Sequence, residues 1–293
     1  MNKFLCALVL VSLLIPASAF AADTGSNKTA ILVVSFGTSM PEARKSIDNL
    51  VNAAKENFPD SEVRLSFTSN IIRRKLAESG DIIDTPVVAL AKLNDERFTD
   101  VYVMPTHMIP GVEYDELKNV VDAFRVLHGK YGFRKLKLGV PFLNSPQDCS
   151  GMADVLMARF KTQLQDKETG IILMGHGTPA HFANGLYPQL QLALNQRAHA
   201  RFFVGTVEAS PLINDVLAEL KIHPEIKKLV LSPLMIVAGD HANNDLADPL
   251  DAKSWLNILR NNGYKEITTY LVGLGEDENM KREFVRQILE LMD

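Results

Sequence analysis

The chain repeats itself, and the repeat limits the fold more than any single motif does. Ile31-Leu32-Val33-Val34-Ser35-Phe36-Gly37-Thr38 matches Ile171-Ile172-Leu173-Met174-Gly175-His176-Gly177-Thr178 at an offset of 140 residues. Val101-Tyr102-Val103-Met104-Pro105 through Gly111 matches Leu229-Val230-Leu231-Ser232-Pro233 through Gly239 at an offset of 128. Between those blocks, Phe67-Thr68-Ser69 and Glu208-Ala209-Ser210 occupy comparable places. Such internal self-similarity predicts two copies of one arrangement. An N-terminal lobe is expected over 23–150 and a C-terminal lobe over 151–293, with the boundary inside 141–170.

Within each copy, short apolar runs alternate with helical spacing. Strands are predicted at Ile31–Phe36, Val63–Phe67, Val101–Met104, Leu136–Val140, Ile171–Met174, Phe202–Gly205, Leu229–Leu231 and Ile267–Leu271. Between them, Pro41–Phe58 places Ala43, Ile47, Leu50, Val51 and Ala54 on one face, with Pro41 near the helix start. Further helices are predicted at Asn70–Glu78, Pro86–Arg97, Glu113–His128, Ser145–Leu164, Leu186–Ala198, Pro211–Leu220, around Trp255, and at Glu276–Leu291. Repeated β-α-β units imply parallel sheets with helices on both faces. The expected class is α/β: two similar lobes, each a parallel sheet flanked by helices, with a cleft lined by the carboxyl ends of both sheets.

The first 22 residues read as a cleaved signal peptide. Lys3 supplies the positive region, Phe4–Ile15 the apolar stretch and Ala19-Phe20-Ala21 the small-residue cleavage pattern. The apolar run is too short for a spanning helix. A periplasmic chain without an integral membrane segment after processing is therefore expected. Loss of Lys3 takes the formal charge from −4 to −5. With no basic stripe, nucleic acid is not an expected partner. Processing would leave Cys149 as the one thiol, so the core has to hold the fold without an internal disulfide.

Ligand-type residues gather where apolar strands end. In open α/β sheets ligands sit outside the carboxyl ends of strands. His176 follows the Ile171 strand between two glycines, Glu208 follows the Phe202 strand, and His241 follows the Leu229 strand. Two imidazoles and a carboxylate suit Co²⁺, Fe²⁺, Ni²⁺ or Zn²⁺, and three protein ligands leave positions open. For Glu208 the competing reading is a solvated or helix-capping carboxylate ahead of Pro211. Gly177 and Gly239 lack Cβ bulk, so a flat ligand could approach the backbone there. In the repeat, Phe36 stands where the second copy has His176, and Glu113 where it has His241. Chemistry is thus expected on the C-terminal half, opposite mostly apolar surface.

Other candidates carry less. Asp240, beside His241, is read as a partner that sets its tautomer. Asp245, Asp248 and Asp251 read either as a capping loop or as a relay for cations. Ser35, Gly37 and Thr38 could offer a helix start to a substrate carboxylate, and His107 is either a ligand contact or a loop-fixing residue. His181 lies five residues beyond His176, while His128, His199 and His223 are expected to be solvated and without clustered partners. Cys149 reads as a buried small residue. No Gly-x-Ser-x-Gly elbow, His-Glu-x-x-His helix, phosphate loop or dinucleotide fingerprint is present.

Several long blocks in order resemble the anaerobic sirohydrochlorin cobaltochelatases of the CbiK type, relatives of ferrochelatase. They are Val33-Val34-Ser35-Phe36-Gly37-Thr38-Ser39, Phe67-Thr68-Ser69 with Ile72-Arg73-Arg74-Lys75-Leu76, and His107-Met108-Ile109-Pro110-Gly111-Val112-Glu113-Tyr114. Met174-Gly175-His176-Gly177, Val207-Glu208 and Pro233 through Asp245 continue the match, so the resemblance covers nearly all of the expected mature chain. It implies a tetrapyrrole cleft between two α/β lobes, with His176, Glu208 and His241 as metal-binding and catalytic residues. The implied substrates are sirohydrochlorin and Co²⁺, with Fe²⁺, Ni²⁺ or Zn²⁺ as alternatives, and no further cofactor. Haem binding and a homo-oligomer are further expectations. Two departures stand out: Thr106-His107-Met108 where Leu-His-Ile is common, and the export signal. Export motivates a rival reading, a haem, tetrapyrrole or metal carrier that kept the fold. A third reading is a zinc hydrolase using His176 and His181.

Overall fold

The structure is a computed structural model that describes residues 27–293. The expected signal peptide lies outside the described residues. Two four-stranded parallel sheets carry the chain. The first is built from β1 (Thr29–Ser35), β2 (Glu62–Phe67), β3 (Asp100–Pro105) and β4 (Lys135–Leu138) in the order β2-β1-β3-β4. The second uses β5 (Thr169–Gly175), β6 (Phe202–Thr206), β7 (Lys228–Pro233) and β8 (Glu266–Thr269) in the equivalent order β6-β5-β7-β8. In each sheet the chain leaves the first strand on one side and returns on the other. Each lobe therefore has a switch point at the carboxyl ends, between β1 and β3 or between β5 and β7.

The continuous apolar strands are explained by burial on both faces. Ile31 and Val33 of β1 point into the same core as Ile171 and Leu173 of β5, whereas Ala30, Leu32 and Val34 point outward, as do Ile172 and Met174. The shared core lies between the sheets and is filled by α1 (Pro41–Asn57), α5 (Pro146–Arg159), α6 (Leu186–Arg197) and α9 (Glu278–Met292). Ala43, Ile47, Leu50, Val51 and Ala54, the face read from spacing, are all buried. The outer face of the first sheet is covered by α3 (Pro86–Asp95) and α4 (Val112–Arg125), that of the second by α7 (Ile213–Ile222) and α8 (Trp255–Asn261). The short α2 (Asn70–Glu78) follows β2 and has no buried residue of its own.

The halves are less separate than a division at residue 150 suggests. That position falls inside α5, and α9, the end of the second half, packs on α1 and β3 of the first. Phe284 of α9 is fully buried against Phe142, with ring centroids 6.1 Å apart. Further ties cross between the halves near the cleft. Val112 N donates to Thr178 Oγ1 at 3.3 Å, Ser46 Oγ donates to Glu276 Oε1 at 3.0 Å, and His181 Nε2 lies 3.1 Å from Asp115 Oδ2. A Cβ on Gly111 would sit 3.0 Å from three atoms of Thr178. The cleft walls are held by one continuous core, and no helix among the described residues is long and apolar enough to cross a membrane.

Candidate metal centre

His176, Glu208 and His241 stand just past the carboxyl ends of β5, β6 and β7, around the switch point of the second sheet. One ligand atom from each lies within 4.8 Å of the others, the one such group of three among the described residues. A tetrahedral ion with bonds of about 2.1 Å holds its ligands roughly 3.4 Å apart, so small side-chain movements close the cage. The two imidazoles meet edge to face at 4.6 Å between centroids. Glu208 Oε2 lies 3.7 Å from His176 Nδ1 and caps no helix; α7 is capped through Leu212 and Asp215 instead.

Backbone chemistry places the first ligand. After Gly175 the ladder stops, and Gly177 takes φ +83°, a conformation open to glycine at little cost. Its missing Cβ would lie 3.1 Å from Ala209 Cβ, Ala209 N and Thr206 Oγ1, so the protein itself fills the space that the sequence suggested was left for a ligand. Gly239 differs: the nearest atoms to its Cβ position are Val237 at 3.8 Å and Thr38 at 4.0 Å, which leaves the backbone approachable. His176 Nδ1 donates to Gly177 O at 2.9 Å, because a carbonyl can only accept. His241 Nδ1 lies 2.7 Å from Asp245 Oδ2 and, by the same logic, carries the proton. Both rings therefore keep Nε2 as the nitrogen with a free lone pair. Asp240, the expected partner of His241, accepts from Asn244 Nδ2 at 2.8 Å instead. The turn from Ala242 to Leu246 is a π-helix that carries Asp245.

The remaining candidates divide. Ser35 Oγ accepts from Gly37 N at 3.3 Å and Thr38 Oγ1 from Met40 N at 3.1 Å, so both hydroxyls hold the β1–α1 turn. Gly37 has φ +103°, and a Cβ there would enter the Phe67 ring. His107 has both ring nitrogens buried without a partner among the described residues, and burial pushes its pKa down to about 4. It is a neutral ring against Tyr114. His181 is tied up on both sides, its Nδ1 accepting from Ala183 N and its Nε2 facing Asp115, so it does not join His176 as a zinc pair. His223 is not free either, since it lies between Glu219 and Glu225. Asp248 and Asp251 accept from the backbone of Leu250 and Lys253, as a capping loop does. Cys149 is fully buried, and burial raises its thiol pKa to about 11.

Glu113 was passed over as the repeat partner of His241, and the structure gives it a place. Thr68 Oγ1 donates to its Oε2 at 3.1 Å. Burial raises its pKa, opposed by the Thr68 hydrogen bond and reinforced by the charges of Glu116 and Glu208. The first half thus contributes a half-buried carboxyl of raised pKa as well as apolar surface. Its pairing with His241 in the repeat was the available signal.

Comparison with known proteins agrees with this architecture. The family model described as cobalt chelatase (CbiK) matches residues 29–293. A sirohydrochlorin cobaltochelatase of Salmonella typhimurium is 35% identical over 269 residues, covering 91% of this chain and 97% of the relative. Sirohydrochlorin cobaltochelatase CbiKC of Nitratidesulfovibrio vulgaris is 33% identical over 238 residues, covering 81% and 82%. Among solved structures, SirB from Bacillus subtilis with Fe³⁺ superposes with a TM-score of 0.63 at 14% identity, covering 90% of this chain and 95% of that one. CbiX, described as the terminal enzyme of siroheme biosynthesis in denitrifying bacteria, superposes at 0.52 with 15% identity, covering 88% and 98%. The structural likenesses speak for the two-lobe α/β fold, and the family match with the sequence relatives for more: the chain belongs to the cobalt chelatase (CbiK) family.

Proposed function

We propose that this protein inserts Co²⁺ into sirohydrochlorin, with His176, Glu208 and His241 receiving the cation. The carrying observation is the convergence of those three side chains on one point at the switch point of the second sheet. The reaction exchanges two pyrrole N–H protons for one dication, so charge is conserved when both protons leave. The incoming ion would exchange water ligands, released to solvent, for the imidazole nitrogens of His176 and His241 and the Glu208 carboxylate, whose negative charge offsets part of its own. The carboxylate of Glu113, which burial makes more basic than an exposed one, is suited to take up one ring proton from the other wall of the cleft, and the second leaves to solvent. Two imidazoles and one carboxylate also accept Fe²⁺, Ni²⁺ and Zn²⁺, so metal choice rests on supply and geometry. The signal-like first 22 residues support a periplasmic site of action. The carrier reading is not favoured, because relatives along nearly the whole chain are chelatases.

The test is His176→Ala, followed by the spectral change of sirohydrochlorin on adding Co²⁺. Insertion is expected to be abolished while the tetrapyrrole still binds. Turnover at the wild-type rate would refute the site.

A further inference from the structure

We propose that Asp245 is a positioning residue of this centre, holding His241 in the Nδ1–H tautomer so that Nε2 is offered to the cation. The inference rests on the reading of His241 as a metal ligand. Asp245 Oδ2 lies 2.7 Å from Nδ1, within the range of a charge-assisted hydrogen bond. The two residues are four apart, and the π turn from Ala242 to Leu246 supplies the aspartate. π turns are rare and concentrate at functional sites. Asp240, nearer in sequence, is engaged by Asn244.

A neutral imidazole has two tautomers, and only one of them leaves Nε2 able to ligate. An acceptor with no proton to give, placed against Nδ1, selects that tautomer and fixes the ring plane. A carboxylate does more than a carbonyl, because its charge raises the basicity of the nitrogen at the far side of the ring. The two histidines are therefore held unequally. His176 leans on the neutral carbonyl of Gly177, His241 on a charged group. His241 becomes the stronger donor of the pair.

The experiment uses the folded protein without tetrapyrrole and Co²⁺ as the probe. Co²⁺ affinity is measured by calorimetry, and the tautomer of His241 by long-range ¹H–¹⁵N correlation of its imidazole. Asp245→Leu is expected to weaken Co²⁺ binding about 10- to 100-fold and to remove the single-tautomer pattern. Asp245→Asn, whose amide oxygen accepts the same bond, is expected to keep that pattern and to bind Co²⁺ between the two. In a His241→Ala background, Asp245→Leu is expected to cost nothing further, which a merely structural role would not produce. Wild-type affinity and tautomer in Asp245→Leu overturn the proposal, as does an equal loss in the His241→Ala background. If His241→Ala alone leaves Co²⁺ binding intact, the reading of the metal centre fails and takes this inference with it. Asp245 is 43% exposed, so these variants are expected to fold; Asp245→Ala carries the same expectations should the leucine variant not do so.

Discussion

Gly177 and Gly239 look alike in the sequence but have different neighbours, and their alanine variants should fail differently. At Gly177 an alanine inherits φ +83°, a left-handed backbone costing an L-residue about 1–2 kcal/mol. Its Cβ would also meet Ala209 and Thr206 at 3.1 Å, which adds overpacking of about 1–3 kcal/mol. Together these predict a loss of about 2–5 kcal/mol, or a Tm lower by roughly 4–10 °C at about 2 °C per kcal/mol for a chain of this size. Because Gly177 O orients His176, insertion should fall with stability. Gly239 has no such φ, and its Cβ would meet nothing closer than 3.8 Å. Gly239→Ala should melt with the wild type and raise KM for the tetrapyrrole, since a methyl group would stand where the flat ligand approaches. Thermal melting and steady-state insertion of both variants decide the matter. A Gly239→Ala protein that loses stability while keeping its KM, or a Gly177→Ala protein with a wild-type Tm, would refute the reasoning.

Three further outcomes follow from the packing and the titrating groups. His107 holds a pKa of about 4 against an ordinary 6.5, so its neutral form stabilises the fold above pH 6.5 and that contribution is lost as pH falls through 4. The loss is of order 3 kcal/mol, and urea unfolding across that window should be flatter for His107→Phe than for the wild type. Glu113 has the opposite sign: its raised pKa favours folding below about pH 4.5 and the advantage disappears as pH rises. Glu113→Gln should therefore melt higher than the wild type at pH 8 and no higher at pH 4, while inserting metal more slowly. Phe284→Ala empties a fully buried site in the shared core and should cost about 3–5 kcal/mol, lowering a single calorimetric transition for both halves together.

Most of the fold was legible because its signal is local. Strands buried on both faces read as unbroken apolar runs, and α1 showed its inner face by spacing alone. The two-lobe plan followed from the repeat, and the equal strand orders of the two sheets carry it into three dimensions. What no window could show was the traffic between halves. The position of α9 depends on a surface built by α1 and β3, more than 170 residues earlier, and amphipathic spacing says which face is buried but not against what.

The grouping of His176, Glu208 and His241 was legible in their places after successive strands, and the fine register between the halves was misread. Backbone bonds show the true correspondence: Ser69 N donates to Phe36 O as Glu208 N donates to His176 O, and Thr68 N to Ser35 O as Val207 N to Gly175 O. Ser69, not Phe67, is thus the counterpart of Glu208. A shift of two residues keeps every side chain on its own face, so alternation could not reveal the slip. The matching backbone in both halves carries Phe36, Ser69 and Glu113 in one and His176, Glu208 and His241 in the other, which makes the cleft unequal by side chain alone. Asp245 reads in the sequence as part of a capping loop or cation relay, and its pairing with His241 is hidden for a related reason. Adjacency suggested Asp240, but on a helical turn residues four apart share a face and neighbours do not. Once His241 is placed at the start of that turn, the carboxylate beside it in space has to come from position 245.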